Sequence, residues 1–360
     1  MIVLKMESNE RAGRKLDIVL SIIIIVLVVI ACILSAKLLL KYLSASQLSR
    51  SEWAFECTEI VQMNLLGYWG ANVTIAIIDT GINLQHDDLK SMNLVAWRDF
   101  VNGKEQPYDD NGHGTHIAGI LAANGKIKGI AHQAKFIIVK SLKGDGSGDD
   151  GIVANAIEFC IDPDGDGNLT DGADVICLSL GGKDIPKLSS ASERACQKAL
   201  DRGVFVVAAA GNNPKEPDIA TPGTVELVIS VGAIDSNKKI ADFSQDGNRA
   251  FNFKRDNPNK KPELVAPGVE ILSTWGEWYA CCNGTSQSAP FVAGVLALIL
   301  DALPQYQHEQ TNNSTAIRYF KQVLADSAEK LDEQNIPHDN SYGYGLVQVL
   351  DAYLRITASS

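Results

Sequence analysis

The sequence predicts a three-layer α/β/α domain with a mostly parallel central sheet, preceded by one N-terminal transmembrane helix. Short apolar runs alternate along the chain with stretches of helical periodicity, and this alternation is typical of α/β folds. The runs are apolar at consecutive positions, which suits parallel strands that are buried on both faces. A separate uncharged stretch near the N-terminus is long enough for a helix to cross a bilayer.

Five runs are predicted to be strands and four stretches are predicted to be helices. The strands are residues 73–78, 136–139, 175–180, 204–209 and 227–231. The helices are residues 113–123, 151–160, 189–201 and 286–301. Ligands of such folds bind beyond the carboxyl ends of the strands. Because Asp79 and Asn212 follow two predicted strands, we expect functional side chains there.

The uncharged stretch covers residues 18–36 and is rich in Ile, Val and Leu. The apolar part of a cleaved signal peptide is usually shorter, ~7–15 residues, and here the apolar character resumes at Leu38. We therefore expect an uncleaved signal anchor, with a cleaved signal peptide as the alternative. The bias of flanking Lys and Arg residues is weak, but it favours a single-pass membrane protein with an inside N-terminus and an extracytoplasmic domain.

These observations divide the chain into four parts. Residues 1–17 are predicted to be a cytosolic tail and residues 18–43 the transmembrane signal anchor. Residues 44–59 are predicted to be a linker, and residues 60–360 a single domain.

The charge is unevenly distributed along the chain. The net charge of the whole sequence is −11, whereas residues 1–56 carry seven Lys or Arg and five Asp or Glu. The domain is therefore acidic, which argues against a nucleic-acid partner. Its acidity is compatible with basic substrates and equally with solubility alone. The seven cysteines show no zinc-type spacing.

Two positions suggest an imidazole held by a carboxylate. Asp79 ends a predicted buried strand, where a carboxylate needs a partner; a role as a turn cap is the plainer alternative. His113 lies between two glycines at the start of a predicted helix, where the helix dipole should lower its pKa and keep it neutral as a base. His116 is a rival candidate, but its deeper position in the helix favours a structural role.

Ser286 begins the predicted helix 286–301. At a helix N-terminus the backbone N–H of a serine can point at a developing oxyanion, and the side-chain amide of Asn212 can supply a second donor. Pro290 is expected in the first turn, where its missing N–H costs little. Taken alone, Ser286 is equally well explained as a helix cap and Asn212 as a loop residue.

The order Asp79, His113, Asn212 and Ser286 along the chain resembles that of the subtilisin-like serine proteases. The resemblance covers roughly residues 58–355 and includes residues 79–82, 112–119, 179–182, 264–268 and 344–346. It implies that Ser286 is the nucleophile, His113 the general acid and base, Asp79 its orienting carboxylate and Asn212 an oxyanion donor. The implied reaction is hydrolysis of peptide bonds through an acyl-enzyme, with no cofactor required for the chemistry.

The resemblance also implies that a substrate peptide binds as an extended strand between two backbone edges. The matching residues are Gly146, Ser147 and Gly148 on one edge and Ser179, Leu180 and Gly181 on the other. Ala210 and Gly211 belong to a specificity-pocket wall, and the small residues of both walls leave room for a sizeable substrate side chain. Asp150 follows the first edge and would favour a basic substrate residue; a solvated surface pair with Asp149 is the alternative.

An acidic loop precedes the predicted strand 175–180. Its first residues resemble the start of an EF-hand loop, but position twelve is Ala173 in place of Glu. Some subtilases bind calcium in a loop here, so a structural calcium ion is expected at Asp162, Asp164, Asp166 and Asp171. Conversely, loop 124–128 is short where many family members bind a tight calcium, and we expect no calcium site there.

The chain departs from the family at two places. Gln287 and Ser288 follow the serine where the family usually has Met and Ala, and residues 44–59 are too few for the propeptide of secreted subtilases. We expect a membrane-anchored processing endopeptidase whose partners are peptide or protein substrates and the membrane. The alternative is a catalytically silent protein that holds peptides in the groove, and the complete set of four site residues argues against it.

Overall fold

The computed structural model describes residues 24–25, 27–32, 34–35, 51–182, 190–311, 313–332 and 334–359. Its central sheet contains seven strands in the order β2-β3-β1-β4-β5-β6-β7, and all neighbouring pairs are parallel. The strands are β1 Thr74–Asp79, β2 Asn93–Asp99, β3 Lys135–Lys140, β4 Val175–Leu178, β5 Phe205–Ala209, β6 Ile229–Ile234 and β7 Leu264–Pro267. A separate antiparallel hairpin consists of β8 Ile271–Trp275 and β9 Trp278–Cys282.

Ten α-helices are described within residues 51–359, besides the helical residues between 24 and 35. They are α1 Glu52–Cys57, α2 Ile60–Leu65, α3 His113–Ala122, α4 Asp150–Ile161, α5 Ala191–Asp201, α6 Arg249–Asn252, α7 Thr285–Ala302, α8 His308–Thr311, α9 Thr315–Ser327 and α10 Val349–Ser359. Helices α3 and α7 contact each other and the sheet, and α4 and α5 do the same. The three-layer α/β/α fold predicted from the sequence is confirmed.

Helix α7 lies in the core. It packs against β1 and against β4 to β7, and its residues from Ala289 to Leu300 are all buried. A helix that is apolar on every side needs such a buried position. Among the described residues, α7 alone is long and apolar enough to cross a membrane, and most of it is buried inside the domain.

The predicted strands and helices correspond to β1, β3 to β6, α3 to α5 and α7. The sequence did not predict β2, which pairs only with β3 at the edge of the sheet. Its side chains are mostly exposed or half-buried, so it lacks the consecutive apolar run of a central strand. Strand β7 has only four residues and ends in Pro267, which makes it too short for a clear pattern.

The domain begins earlier than residue 60. Residues 51–59, expected to belong to a linker, pack onto the domain through α1, in which Ala54 is buried and the rings of Phe55 and Phe291 lie 5.7 Å apart. The hydroxyl oxygen of Ser51 accepts from the N–H of Leu272 at 2.7 Å. The apolar side of α1 explains why this segment is folded.

The N-terminal parts lie largely outside the described residues. The expected cytosolic tail, residues 1–17, lies wholly outside them, as does most of the expected span 18–43. The described positions within that span, residues 24–25, 27–32 and 34–35, are helical. Their apolar side chains are exposed, as Ile25 and Leu27 illustrate.

Candidate active site

Asp79 ends β1, and its buried carboxylate contacts the imidazole of His113. Nδ1 of His113 lies 2.8 Å from Oδ1 and 3.0 Å from Oδ2 of Asp79, so Nδ1 carries a proton and donates it. The backbone N–H of Thr80 donates to the same Oδ1 at 2.7 Å. The His113 side chain is 25% exposed whereas that of Asp79 is 0% exposed. Asp79 therefore holds the ring at Nδ1, while part of the ring remains accessible to solvent.

The pKa of His113 is raised above its ordinary value. Burial lowers this pKa, but the charge of Asp79 and the hydrogen bond to it outweigh the burial. Our expectation that the N-terminus of α3 lowers the pKa is therefore wrong. A carboxylate at hydrogen-bonding distance acts more strongly on the imidazole than the partial charge at a helix end.

Asp109, which the sequence analysis did not single out, connects the turn after Asp79 to the start of α3. Its Oδ1 accepts from the hydroxyl of Thr80 and from the N–H of Gly112, both at 2.9 Å. Its Oδ2 accepts from the hydroxyl of Thr115 at 2.6 Å. Burial raises the pKa of Asp109, but these hydrogen bonds outweigh it and the pKa is lowered. An Asp shortly before a helix is a capping signal, and this signal could have revealed the residue.

Gly114 allows α3 to approach the turn that follows β1. A Cβ atom at Gly114 would lie 2.2 Å from the carbonyl oxygen of Gly81 and 3.2 Å from Cβ of Asp79. The N–H of Gly114 instead donates to the hydroxyl of Thr80 at 2.9 Å. The glycine after His113 therefore permits the short distance between the imidazole and its carboxylate.

Ser286 is the second residue of α7 and is joined to Ser179 at the end of β4. The hydroxyl of Ser286 donates to the carbonyl of Ser179 at 3.0 Å, and the hydroxyl of Ser179 donates to the carbonyl of Ser286 at 2.8 Å. Pro290 explains the second bond, because a helix would normally supply that donor from the N–H of residue 290, which proline lacks. Pro290 is the sixth residue of α7, so our expectation of a first-turn position is wrong.

Asn212 is fixed by the first residue of α7. Its Oδ1 accepts from the N–H of Thr285 at 2.8 Å and from the hydroxyl of Thr285 at 2.9 Å. The hydroxyl of Thr285 in turn accepts from the N–H of Gly211 at 3.0 Å. With its oxygen fixed in this way, the Asn212 amide directs Nδ2 away from Thr285.

Nδ2 of Asn212 and the backbone nitrogen of Ser286 both lie near Gly284, which has no side chain to separate them. A Cβ atom at Gly284 would lie 3.3 Å from Nδ2 of Asn212 and 3.6 Å from the backbone nitrogen of Ser286. Two N–H donors near one open point can stabilise an oxygen atom that becomes negative during a reaction. We call the space bounded by Gly284, Nδ2 of Asn212 and the N–H of Ser286 the oxyanion pocket.

The first expected peptide-binding edge lies next to His113. Residues 142–148 form a tight turn in which the N–H of Lys143 donates to the carbonyl of Ser147 at 2.8 Å, and Gly146, Ser147 and Gly148 are exposed. Asn111 links this turn to the histidine. Its Nδ2 donates to the carbonyl of Gly144 at 2.9 Å, and its Oδ1 accepts from the N–H of His113 at 3.1 Å.

The second expected edge, Ser179, Leu180 and Gly181, begins at the residue that contacts Ser286. Gly182, next along the chain, exchanges two backbone hydrogen bonds with Thr221 at 3.0 and 3.1 Å. The edge is thereby fixed at both ends.

Ala220 lies beside both expected pocket walls. The N–H of Ala220 donates to the carbonyl of Ala210 at 2.7 Å. A Cβ atom at Gly181 would lie 2.7 Å from Cβ of Ala220, and a Cβ atom at Gly211 would lie 3.2 Å from it. The methyl group of Ala220 therefore lies close to both walls.

The carboxylate of Asp150 is engaged with another helix. It accepts from the N–H of Ala191 at 2.7 Å and from the hydroxyl of Ser192 at 2.5 Å, both in the first turn of α5. Burial raises the pKa of Asp150, but these hydrogen bonds outweigh it and lower the pKa. Asp150 therefore stabilises the start of α5, and its contacts give no support to the expected role in substrate binding.

His116 is buried inside α3. Its Nε2 lies 3.1 Å from the carbonyl oxygens of Ile271 and of Ala280, so this nitrogen carries the proton. Burial lowers the pKa of His116 to about 4. A neutral imidazole with these contacts has the structural role that the sequence suggested.

Three of the four acidic residues expected at a calcium site lie together. Ligand oxygens of Asp162, Asp164 and Asp171 all lie within 4.8 Å of one another. Asp166 is outside this group, and its Oδ1 accepts from the N–H of Asn168 at 2.7 Å. Burial and the neighbouring charge of Asp164 raise the pKa of Asp171. A cluster of carboxylates under mutual repulsion fits the hard-oxygen donor set that Ca²⁺ prefers.

The short loop 124–128 is closed by Asp88. The carboxylate of Asp88 accepts from the N–H groups of Lys126 and Ile127, both at 2.9 Å. The N–H of Asn124 donates to the carbonyl of Asp88 at 2.8 Å. Backbone donors of the loop itself therefore satisfy this buried charge.

Residues 70–345 match the subtilase family (Peptidase_S8). The chain is 37% identical over 290 residues to Subtilisin DY of Bacillus licheniformis, and the alignment covers 79% of this chain and 91% of that protein. It is 34% identical over 307 residues to Serine protease AprX of Bacillus subtilis (strain 168), covering 77% of this chain and 65% of that protein. It is 35% identical over 299 residues to Subtilisin Savinase of Lederbergia lenta, covering 82% of this chain and 96% of that protein.

Proposed function

Because the chain belongs to the subtilase family of serine endopeptidases, we propose that Ser286, His113, Asp79 and Asn212 carry out its hydrolysis of peptide bonds. The observation that carries this assignment is the contact of Nδ1 of His113 with both oxygens of buried Asp79. It fixes the imidazole in the tautomer whose Nε2 can accept a proton.

In the proposed reaction, a turn of the Ser286 side chain moves its hydroxyl from the Ser179 carbonyl to His113. The hydroxyl oxygen attacks the substrate carbonyl carbon while Nε2 of His113 takes the proton, and Asp79 stabilises the resulting imidazolium. The substrate oxygen becomes negative in the oxyanion pocket, next to Nδ2 of Asn212 and the N–H of Ser286.

The second half of the reaction returns the residues to their starting state. The imidazolium of His113 donates its proton to the leaving amine, so the peptide bond breaks and an ester of Ser286 remains. A water molecule then gives a proton to His113 and attacks the ester. Ser286 leaves with that proton and regains its hydroxyl.

Labelling with a fluorophosphonate tests the assignment. We expect the full chain to be labelled and Ser286→Ala to remain unlabelled. Ser288→Ala is the matched control, because the hydroxyl of Ser288 is buried and donates to the carbonyl of Ala266 at 3.1 Å. An unlabelled wild-type chain would favour the alternative, a protein that binds peptides without cleaving them.

We also propose that residues 18–43 anchor the enzyme in a membrane, with the domain on the extracytoplasmic side. The uncharged stretch 18–36, which is long enough to cross a bilayer as a helix, supports this proposal. Cell fractionation with an alkaline wash tests it. The full chain should stay with the membrane, and a variant lacking residues 1–43 should not; recovery of both in the soluble fraction would contradict the anchor.

A tethered protease reaches few substrates, so we propose processing of selected peptides or proteins rather than bulk degradation. The methyl group of Ala220 beside both expected pocket walls is compatible with selectivity. A cleavage profile on a peptide library measures it. A preference confined to a few residue types at the scissile bond is expected, whereas cleavage after most residue types would contradict a processing role.

We further propose that Asp162, Asp164 and Asp171 bind a structural Ca²⁺ ion. Their grouped oxygens and the raised pKa of Asp171 support this. Calcium should raise the melting temperature of the wild-type chain, and a chelator should reverse the effect. Asp164→Asn should abolish the shift, with Asp145→Asn at an exposed turn as the control; equal shifts in all three chains would exclude this site.

A further inference from the structure

Gln287 is a buried amide next to the proposed nucleophile. It is the third residue of α7, and only 2% of it is exposed. Its backbone N–H donates to the carbonyl of Gly284 at 3.0 Å. Within the described part of the chain, no residue forms a hydrogen bond with its side-chain amide. The side-chain amide is therefore available for a hydrogen bond with a group from outside the chain.

The amide of Gln287 borders the oxyanion pocket. A Cβ atom at Gly284 would lie 2.8 Å from Oε1 of Gln287. The same point lies 3.3 Å from Nδ2 of Asn212 and 3.6 Å from the backbone nitrogen of Ser286. Three polar groups therefore lie on the same side of Gly284, and Oε1 of Gln287 is the nearest of them to the Cβ position.

We propose that Gln287 provides a third hydrogen bond to the oxyanion. A half-turn about the last bond of its side chain exchanges Oε1 for Nε2, because the two ends of an amide have nearly the same shape. A negative oxygen in the pocket favours the orientation in which Nε2 faces it. This hydrogen bond strengthens as charge develops on the oxygen, so it stabilises the transition state more than the bound substrate.

The inference rests on the proposed function, because it requires Ser286 to attack a carbonyl. It also gives a chemical role to a position at which the chain departs from its family. The methionine usual at this position has a thioether, which cannot donate a hydrogen bond. A glutamine at the same place can donate one and has a similar length.

Steady-state kinetics of the full chain test the role of Gln287. Gln287→Met keeps the volume and removes the donor. Loss of one oxyanion donor typically lowers turnover by ~10²–10³; with two donors retained, we expect kcat to fall about tenfold or more and KM to change less than twofold. The affinity for a peptide aldehyde, which forms an oxyanion when Ser286 adds to it, should fall by the same factor as kcat.

Gln287→Glu supplies a second readout that a merely structural role would not change. The ionised carboxylate repels the oxyanion, so kcat of this variant relative to wild type should rise as the pH is lowered toward the pKa of the glutamic acid. A ratio that does not change with pH would overturn the proposal. Wild-type kcat and aldehyde affinity in Gln287→Met would overturn it as well.

The same measurements separate this inference from the proposed function. If the wild-type chain cleaves peptides and Gln287→Met matches it, only the role of Gln287 is refuted. If the wild-type chain neither cleaves peptides nor reacts with a fluorophosphonate, the assignment of Ser286 fails and the role of Gln287 fails with it.

Discussion

Ser179 and Ser286 are joined by two reciprocal hydrogen bonds, each hydroxyl donating to the main-chain carbonyl of the other residue. Ser179 follows β4 directly and begins an expected peptide-binding edge, and Ser286 lies in the first turn of the core helix α7. The pair therefore fixes the proposed nucleophile directly to the edge that would hold the substrate. Pro290 leaves the carbonyl of Ser286 without its helical donor, and the hydroxyl of Ser179 takes the place of that donor. This hydrogen bond connects α7 to the residue that follows β4.

Ser179→Ala should destabilise the protein and slow its reaction. The substitution leaves the carbonyl of Ser286 without its donor, and an unsatisfied buried acceptor costs about 1–3 kcal/mol. We expect the free energy of unfolding in urea to fall by about that amount and kcat to fall as Ser286 becomes less constrained. Ser141→Ala is the control, because the buried hydroxyl of Ser141 has no partner among the described residues. Equal losses in the two variants would contradict the link.

The pH dependence of activity should reflect the raised pKa of His113. His113 acts as a base only when neutral, so kcat/KM should decline as the pH falls through this pKa. The acid limb should therefore lie above the ordinary histidine value of about 6.5. Asp79→Asn should move the limb to lower pH and reduce kcat by ~10⁴, the loss found for the same change in another serine protease. A wild-type limb below the ordinary value would contradict the influence of Asp79.

His308 should make stability depend on pH. Its Nδ1 lies 2.8 Å from Oδ1 of Asp174 and its Nε2 lies 2.7 Å from the carbonyl oxygen of Leu169, so the protonated ring satisfies both acceptors. Burial lowers the pKa of His308, but the hydrogen bond and charge of Asp174 outweigh it and the pKa is raised. The stabilisation is complete below the unfolded pKa of about 6.5 and is lost as the pH rises through the higher folded pKa.

His308→Gln should therefore lower the free energy of unfolding more at about pH 5 than at about pH 9. His132 is the matched control, because burial lowers its pKa. His132→Gln should show the opposite dependence and improve stability relative to wild type at low pH. Parallel losses at both pH values for His308→Gln would show that the charge of the ring plays no part.

Asp150→Ala should reduce stability without altering substrate preference. Its carboxylate satisfies N–H groups in the first turn of α5, and removal of such a cap costs about 0.5–2 kcal/mol. We expect a lower unfolding free energy and an unchanged cleavage profile on a peptide library. A weaker preference for basic residues in Asp150→Ala would restore the role in substrate binding that the sequence suggested.

The sequence revealed features that depend on neighbouring residues and missed those that depend on distant ones. Asp79 and His113 were identifiable because each lies at the end of an element with a clear apolar pattern. The partner of Asp150 lies 41 residues away and that of Ser179 lies 107 residues away. No local sequence pattern predicts contacts between residues so far apart in the chain. The direction of the pKa shift of His113 was predicted wrongly for the same reason, because it depends on the distance between His113 and Asp79.

The calcium loop and the specificity pocket show the same limit. The spacing of acidic residues suggested four ligands, but the carboxylate of Asp166 lies outside the group of three and accepts from the N–H of Asn168. The small residues of the pocket walls suggested open space, but the wall residues do not reveal that Ala220 lies against them. The sequence shows which wall residues are small, but the fold determines which other residues lie beside them.

The link between Ser179 and Ser286 also has a consequence for the time at which a newly made chain acquires activity. Asp79 and His113 are 34 residues apart and meet within the first part of the domain, whereas Ser286 reaches its place only when α7 docks on β4. A chain still being synthesised, or one that stops short of α7, lacks the proposed nucleophile. On the proposed assignment, hydrolysis therefore requires a chain that has been synthesised and folded through α7.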